Sequence, residues 1–133
     1  MKLYHGSPKK LKRLVPKQAK GIGKFENKKA IFLCKTFKHA ALYSIGKHLK
    51  RKTIFALTPN KLIIVGNLKP KSGYVFEVDI KANKGPRDQF SYNKQIRKFK
   101  IYKINPKDYK KDIVYVKDKN ELIMAYFFQL SNI

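Results

Sequence analysis

The feature that most restricts the fold is one early helical segment with many short strand-like segments around it. The clearest strand covers residues 74–80, where large apolar residues recur at every second position from Tyr74 to Ile80 and so share one face. Shorter apolar segments predict the remaining strands, at residues 3–5, 30–34, 53–57, 62–65, 89–96, 98–104 and 113–116. One helix and many sequential strands favour the α+β class, with a mainly antiparallel sheet and few helices.

The helix is predicted from Thr36, which can act as its N-cap, to about Leu49. Residues 8–29 contain two prolines and two glycines among many lysines, and they predict a basic loop. Residues 119–130 fit either a helix or a strand. The choice matters because a candidate carboxylate lies in that segment.

A chain of 133 residues predicts one domain, covering residues 1–133. No apolar run is long enough for a membrane span, and the first residues do not have the pattern of a signal peptide. The single cysteine, Cys34, excludes an intramolecular disulfide and favours a reducing compartment such as the cytoplasm. The spacing of cysteine and histidine predicts no metal site.

The charge balance predicts a polyanionic partner. Lysine and arginine total 32 against 8 acids, which gives a formal net charge of +24. A field of this sign attracts DNA, RNA or an acidic membrane surface, and nucleic acid is the favoured partner. Because lysine greatly outnumbers arginine, we expect attraction to phosphates with little reading of bases. An acidic inhibitor or antitoxin protein is a further reasonable partner for so basic a chain.

Two short segments carry a family resemblance. The first is Leu-Tyr-His-Gly-Ser at residues 3–7, a strand that ends in His5, Gly6 and Ser7. The second is Ile-Phe-Leu-Cys-Lys-Thr-Phe-Lys-His-Ala-Ala-Leu-Tyr at residues 31–43, a strand followed by a helix. In this order they resemble the NAD-binding half of the ADP-ribosyltransferase fold, in the branch that includes the poly-ADP-ribose polymerases and diphtheria toxin.

The resemblance implies a small split antiparallel sheet and an NAD-dependent transferase, with NAD as a substrate and no metal. His5 would bond the nicotinamide-side ribose, and the Gly6 backbone would bond the nicotinamide amide, with Ser7 beside them. Phe32 on the strand and Tyr43 on the helix would flank the nicotinamide ring. Phe32 lacks the tyrosine hydroxyl that many members have, and an alanine, Ala40, stands where they have a serine.

The resemblance also implies a glutamate at the start of a late strand, and two positions compete for this place. By strand order, Gln89 would occupy it, although a glutamine cannot act as a base. The alternative is Glu121, in an Asn-Glu-apolar segment like that of the polymerases. However, Asp118 and Glu121 also form a capping-box pattern, which would place Glu121 at the start of a helix instead.

Candidate nucleic-acid-binding residues lie in three basic clusters, which are Lys9, Lys10, Lys12 and Arg13; Lys50, Arg51 and Lys52; and Arg97, Lys98 and Lys100. Around the third cluster the aromatic residues Tyr92, Phe99, Tyr102 and Tyr109 interleave with lysines, a pattern that can bind single strands by stacking and phosphate attraction.

The function that follows is ADP-ribose transfer to RNA or DNA, which by family analogy would suit a toxin, a phage-defence protein or a phage-encoded effector. A non-catalytic nucleic-acid-binding module on the same fold is the alternative from another class. An RNA 2′-phosphotransferase is the third. It is disfavoured because that reaction normally uses arginines on the 2′-phosphate and the chain has four, Arg13, Arg51, Arg87 and Arg97.

Overall fold

The computed structural model describes residues 1–19 and 27–131. Along the chain the elements are β1 (Lys2–Ser7), β2 (Lys17–Gln18), β3 (Lys29–Cys34), α1 (Phe37–Gly46), a 3₁₀ turn (Lys47–Leu49), β4 (Phe55–Leu57), β5 (Leu62–Val65), β6 (Gly73–Asp79), β7 (Asn83–Lys84), β8 (Gln89–Tyr92), β9 (Lys100–Ile104), a 3₁₀ segment (Pro106–Asp112), β10 (Ile113–Val116) and α2 (Lys119–Ser131).

The strands form two sheets. The larger has the order β7-β8-β3-β1-β6-β9, with β2 paired to β3, and its pairs are antiparallel. The smaller has the order β10-β5-β4, in which β10 is parallel to β5. The protein is therefore of the α+β class with mostly antiparallel strands, as the sequence predicts.

Several predicted strands are shorter in the structure. The strand predicted at residues 89–96 ends at Tyr92, and the one predicted at residues 98–104 begins at Lys100. Between them the chain leaves the ladder, and Ile96 forms a two-way backbone bridge with Leu14, with N–O distances of 2.9 Å. The predicted loop at residues 8–29 is also wrong in part, because it contains this bridge and β2. Residues 20–26 of that loop lie outside the described residues.

Helix α1 lies directly on the larger sheet. Thr36 caps it as predicted, since its Oγ1 accepts a hydrogen bond from the backbone N–H of His39 at 3.3 Å. A Cβ added at Gly6 of β1 would collide with the carbonyl oxygen of Ala40. A Cβ added at Gly73 of β6 would lie 2.6 Å from the side chain of Ser44. The missing side chains let the helix backbone approach both strands closely.

The larger sheet has an apolar core on each face. The α1 core contains Ala40, Ala41, Leu42, Ile45, Leu49, Leu62, Ile64, Val75 and Ile104. The second core contains Leu3, Leu14, Ile31, Leu33, Phe76, Val78, Phe90 and Ile96. The apolar face predicted for residues 74–80 contributes Phe76 and Val78 to the second core. Val75, which points to the opposite face, packs in the α1 core. Burial on both faces follows from the alternation of side chains along a strand.

Helix α2 packs against the smaller sheet and leaves apolar side chains outside. Leu122 is buried, whereas Met124, Phe127 and Phe128 are 74%, 62% and 64% exposed. In the described part of the chain, no helix has the length and apolar character that crossing a membrane requires.

Candidate active site

His5 is held by a hydrogen bond across the sheet. Its Nδ1 lies 2.8 Å from the backbone oxygen of Phe32. Because a carbonyl oxygen only accepts, Nδ1 carries the hydrogen, and in the neutral ring Nε2 is left as an acceptor. Burial lowers the pKa of His5, the bond to Phe32 opposes this, and the charge of Lys17 lowers the pKa further. The neutral ring is therefore the favoured form.

The bond spans a place where the strand ladder is incomplete. Strand β1 pairs with β6 at six positions, but in the described chain its pairing with β3 consists of Tyr4 opposite Cys34. Continuing that antiparallel register would set Gly6 opposite Phe32, and this pair is not formed. The imidazole of His5 thus takes the place of ladder hydrogen bonds between β1 and β3. We call this region, from His5–Ser7 to Ile31–Leu33, the β1–β3 gap.

The candidate residues lie on both faces of the sheet beside this gap. Cys34 pairs with Gln89, and Phe32 pairs with Ser91. Since Leu33 belongs to the second core, alternation directs Phe32 and Gln89 to the α1 face. The His5 ring lies on the other face, 6.1 Å from the ring of Phe76. His5, Phe32 and Gln89 therefore lie on adjacent strands beside the gap, but the His5 ring is on the opposite face of the sheet from Phe32 and Gln89.

Tyr43 is on the part of α1 that does not enter the core. It is 38% exposed, whereas Ala40, Ala41, Leu42 and Ile45 of the same helix are buried. The Nζ of Lys47, one turn further on, lies 5.3 Å from the centre of its ring. His39, one turn earlier, is on the same side of the helix, because residues four apart are neighbours on a helix surface.

A histidine–carboxylate pair that sequence reasoning missed lies next to these residues. His39 Nδ1 is 2.7 Å from Asp88 Oδ2, and both side chains are mostly buried, at 10% and 16% exposure. The other carboxylate oxygen, Asp88 Oδ1, is buried without a hydrogen-bond partner. Such an acceptor marks a position that a water or a ligand hydroxyl can satisfy.

The pair was missed because Asp88 does not follow the alternation of the strand. Strand β8 begins only at Gln89, and Arg87 before it has a φ of 56°, so the chain turns here. The two partners are 49 residues apart, and no local sequence pattern predicts their contact. Asp88 thus lies one residue from Gln89 and also faces α1.

Gly6, Ser7 and Cys34 have local structural roles. The absent side chain of Gly6 makes room for α1, so close helix packing explains this glycine. Ser7 Oγ accepts a hydrogen bond from the backbone N–H of Lys9 at 3.1 Å. Burial, with the nearby charge of Asp88, raises the pKa of Cys34 to about 12, so it remains a thiol and not a nucleophilic thiolate at neutral pH.

Glu121 does not begin a strand, so the strand interpretation of residues 119–130 is wrong. It lies in the first turn of α2, where its backbone N–H donates to Asp118 Oδ1 at 2.9 Å. Its own Oε2 accepts from the backbone N–H of Lys117 at 2.8 Å. Glu121 therefore satisfies the start of a helix on the smaller sheet, away from the β1–β3 gap, as the capping-box interpretation predicts.

The predicted basic clusters separate into two groups. The Leu14–Ile96 bridge brings the segment that contains Lys9, Lys10, Lys12 and Arg13 beside the one that contains Arg97, Lys98 and Lys100. The cluster Lys50, Arg51 and Lys52 instead follows α1, on the opposite face of the sheet.

The aromatic residues near the third cluster do not form one stacking surface. Phe99 packs on Phe76, with ring centres 5.1 Å apart, whereas Tyr102 packs on Phe37 at 5.3 Å on the α1 side. Tyr109 packs against the α1 core. The four interleaved aromatics are thus divided between both faces of the sheet.

Within residues 1–19 and 27–131, no three His, Cys, Asp or Glu side chains come together as metal ligands would. Protein-family models, curated proteins and solved structures were compared with the chain, and none matches it.

Proposed function

We propose that the protein is an NAD-dependent ADP-ribosyltransferase that modifies a nucleic acid. The observation that carries the proposal is the bond from His5 Nδ1 to the Phe32 carbonyl, which presents the opposite ring nitrogen as an acceptor beside the incomplete ladder. An acceptor fixed in this way suits a ribose hydroxyl. The tendency of His5 to stay neutral supports this role, because a protonated ring would have no acceptor.

The other residues of the gap would hold the nicotinamide end of NAD. Phe32 and Tyr43 supply aromatic surface on the α1 side, where a flat ring can stack. The His5 ring is on the opposite face of the sheet, so NAD would have to reach through the β1–β3 gap to contact both. Gly6 would contribute its backbone. Nicotinamide leaves as the bond from the ribose C1 to the ring nitrogen breaks, and the positive charge that develops on the ribose is stabilised by nearby acceptor oxygens. The electron pair of that bond goes to nicotinamide, and an acceptor oxygen or nitrogen forms the new bond to C1 while any proton it carries passes to water.

Gln89 is the residue that most limits the chemistry. Its amide oxygen can accept from a ribose hydroxyl, but it cannot remove a proton from the acceptor group. This feature favours the second candidate, a non-catalytic nucleic-acid-binding module. The mostly buried Asp88, whose Oδ1 has no partner, is the nearest carboxylate along the chain to Gln89.

The test uses NAD labelled in its adenylate phosphate, incubated separately with single-stranded RNA, single-stranded DNA, duplex DNA and a protein extract. Transfer of label to one nucleic acid, together with release of nicotinamide, is expected. Two variants address the site. His5→Asn keeps a donor near the Phe32 carbonyl and loses the Nε2 acceptor. Tyr43→Ala removes an exposed ring with little effect on the core. Both should reduce the transfer.

The matched control is Tyr115→Ala, which removes another exposed tyrosine on the smaller sheet and should leave transfer unchanged. Absence of both labelling and nicotinamide release, with nucleic-acid binding retained, would reject the transferase in favour of the binding module. Label on protein alone would reject nucleic acid as the acceptor.

A further inference from the structure

An open groove of about 720 Å³ lies where β6, the start of β1 and the segment before β9 meet. Four cationic residues line it, Lys2, Arg97, Lys98 and Lys100. None of the four forms an ion pair with an acid in the described residues, whereas Lys38 and Lys61 are both paired with Asp112. Cations that are not held in an ion pair are available to an anionic ligand.

The acids of the groove only partly offset this charge. Asp79 is engaged by the N-terminal ammonium of Met1 at 2.8 Å. Glu77 is opposite Lys100 in the register of β6 and β9, but the two do not form an ion pair. The groove therefore keeps an excess of positive charge.

The floor of the groove is apolar and belongs to the second core. Val78 and Ile96 are buried there, while Tyr92 and Phe99 are partly exposed at its sides. A flat apolar surface with cations at its rim suits a base with its phosphates, because stacking and phosphate attraction act together on single strands. In a duplex the bases are paired and cannot stack on the apolar floor, so the floor favours a single strand.

The groove is also close to the candidate site and on the same face as the His5 ring. His5 is opposite Phe76, and Val78 is two residues further along β6, about 7 Å away at the usual rise of a strand. The Leu14–Ile96 bridge brings Arg13 to the same region. A strand bound in the groove would thus pass near the β1–β3 gap.

We infer that this groove binds single-stranded nucleic acid and holds the acceptor strand. The statement that the bound strand is the acceptor rests on the proposed function. Binding of a single strand in the groove does not require the transfer reaction. Lys2, Arg97, Lys98 and Lys100 contact phosphates, and the apolar floor receives bases.

The test compares two triple variants that remove the same charge. Arg97→Gln, Lys98→Gln and Lys100→Gln change the groove. Lys50→Gln, Arg51→Gln and Lys52→Gln change the opposite face and serve as the matched control. Each set removes one arginine and two lysines that are exposed, and glutamine keeps much of the side-chain length.

Binding of a fluorescent twelve-nucleotide oligouridylate and of oligothymidylate is measured by anisotropy at several salt concentrations. The groove variant is expected to bind roughly a hundredfold more weakly at 0.1 M salt, with a salt slope smaller by about 2, as the loss of three phosphate contacts predicts. The control should lose less than tenfold.

Equal losses of oligonucleotide affinity in the two variants would overturn the inference, because binding would then depend only on the overall positive charge. Equal weakening of duplex DNA and single strands by the groove variant would also overturn it, since the floor would then contribute nothing. Tighter binding of an oligoglutamate of the same charge than of either oligonucleotide would point to an acidic protein instead. Nicotinamide release is followed in parallel, and it separates failure of the groove from failure of the transferase.

Discussion

The imidazole of His39 and the carboxylate of Asp88 join the start of α1 to the start of β8 through a contact of 2.7 Å. Removing only the carboxylate, in Asp88→Ala, leaves the Nδ1 hydrogen of a mostly buried ring without a partner. We expect this to lower the free energy of unfolding by about 1–3 kcal/mol. Urea denaturation at pH 7.5 measures it.

The control for that prediction is a double-mutant cycle with His39→Phe. The double variant lacks both polar partners, whereas each single variant lacks one. The double variant should be more stable than the sum of the two single changes predicts. Simple additivity of the two losses would show that the contact does not couple the helix to the sheet.

Gly6→Ala should destabilise the protein, because the new Cβ meets the Ala40 carbonyl, which the helix backbone cannot easily move. Overpacking of this kind costs about 1–3 kcal/mol. The comparison is with Ser7→Ala, which removes a turn hydrogen bond but adds no atoms. Thermal unfolding followed by circular dichroism should rank Gly6→Ala as the less stable variant, and the opposite ranking would argue against close contact of α1 with β1.

His5 should make stability depend on pH. Its pKa in the folded state lies below the ordinary value of 6.5, because burial opposes the charged ring. The unfolded chain therefore binds a proton first as the pH falls, and the stability contributed by neutral His5 is present above pH 6.5 and lost below it. Urea midpoints at pH 7.5, 6.5 and 5.5 measure this loss.

His5→Asn is the reference, because the two proteins share every other titratable group and those contributions cancel in the difference. The wild-type protein should lose stability relative to this variant as the pH falls. A constant difference between the two proteins would contradict the lowered pKa.

Gln89→Glu should increase nicotinamide release, since it supplies the carboxylate that the family resemblance expects at this place. A positioned base contributes roughly 10²-fold or more to such reactions, and a rise of at least tenfold is expected. Gln89→Ala should reduce release below the wild-type rate. If Gln89→Glu and Gln89→Ala behave alike, position 89 does not face the reacting ribose.

Local signals in the sequence predicted the elements well. Thr36 caps its helix, and the strand at residues 113–116 has the predicted bounds, because capping and apolar runs act over a few neighbouring residues. The ambiguity at residues 119–130 was resolved by the same kind of signal, the box of Asp118 and Glu121.

The features of the site that depend on distant residues were not predictable. The β1–β3 gap and the contact of His39 with Asp88 both arise from how strands far apart in the chain come together. The role of Gly6 was likewise hidden, since a glycine in a strand does not reveal whether a ligand or a helix fills the space beside it.

The exposed side of α2 has a consequence for handling the protein. At low salt, we expect the like charges of two copies to keep Met124, Phe127 and Phe128 of one molecule from contacting those of another. High salt screens this repulsion. The protein is therefore expected to self-associate as salt rises, and an increase in light scattering with salt would measure it.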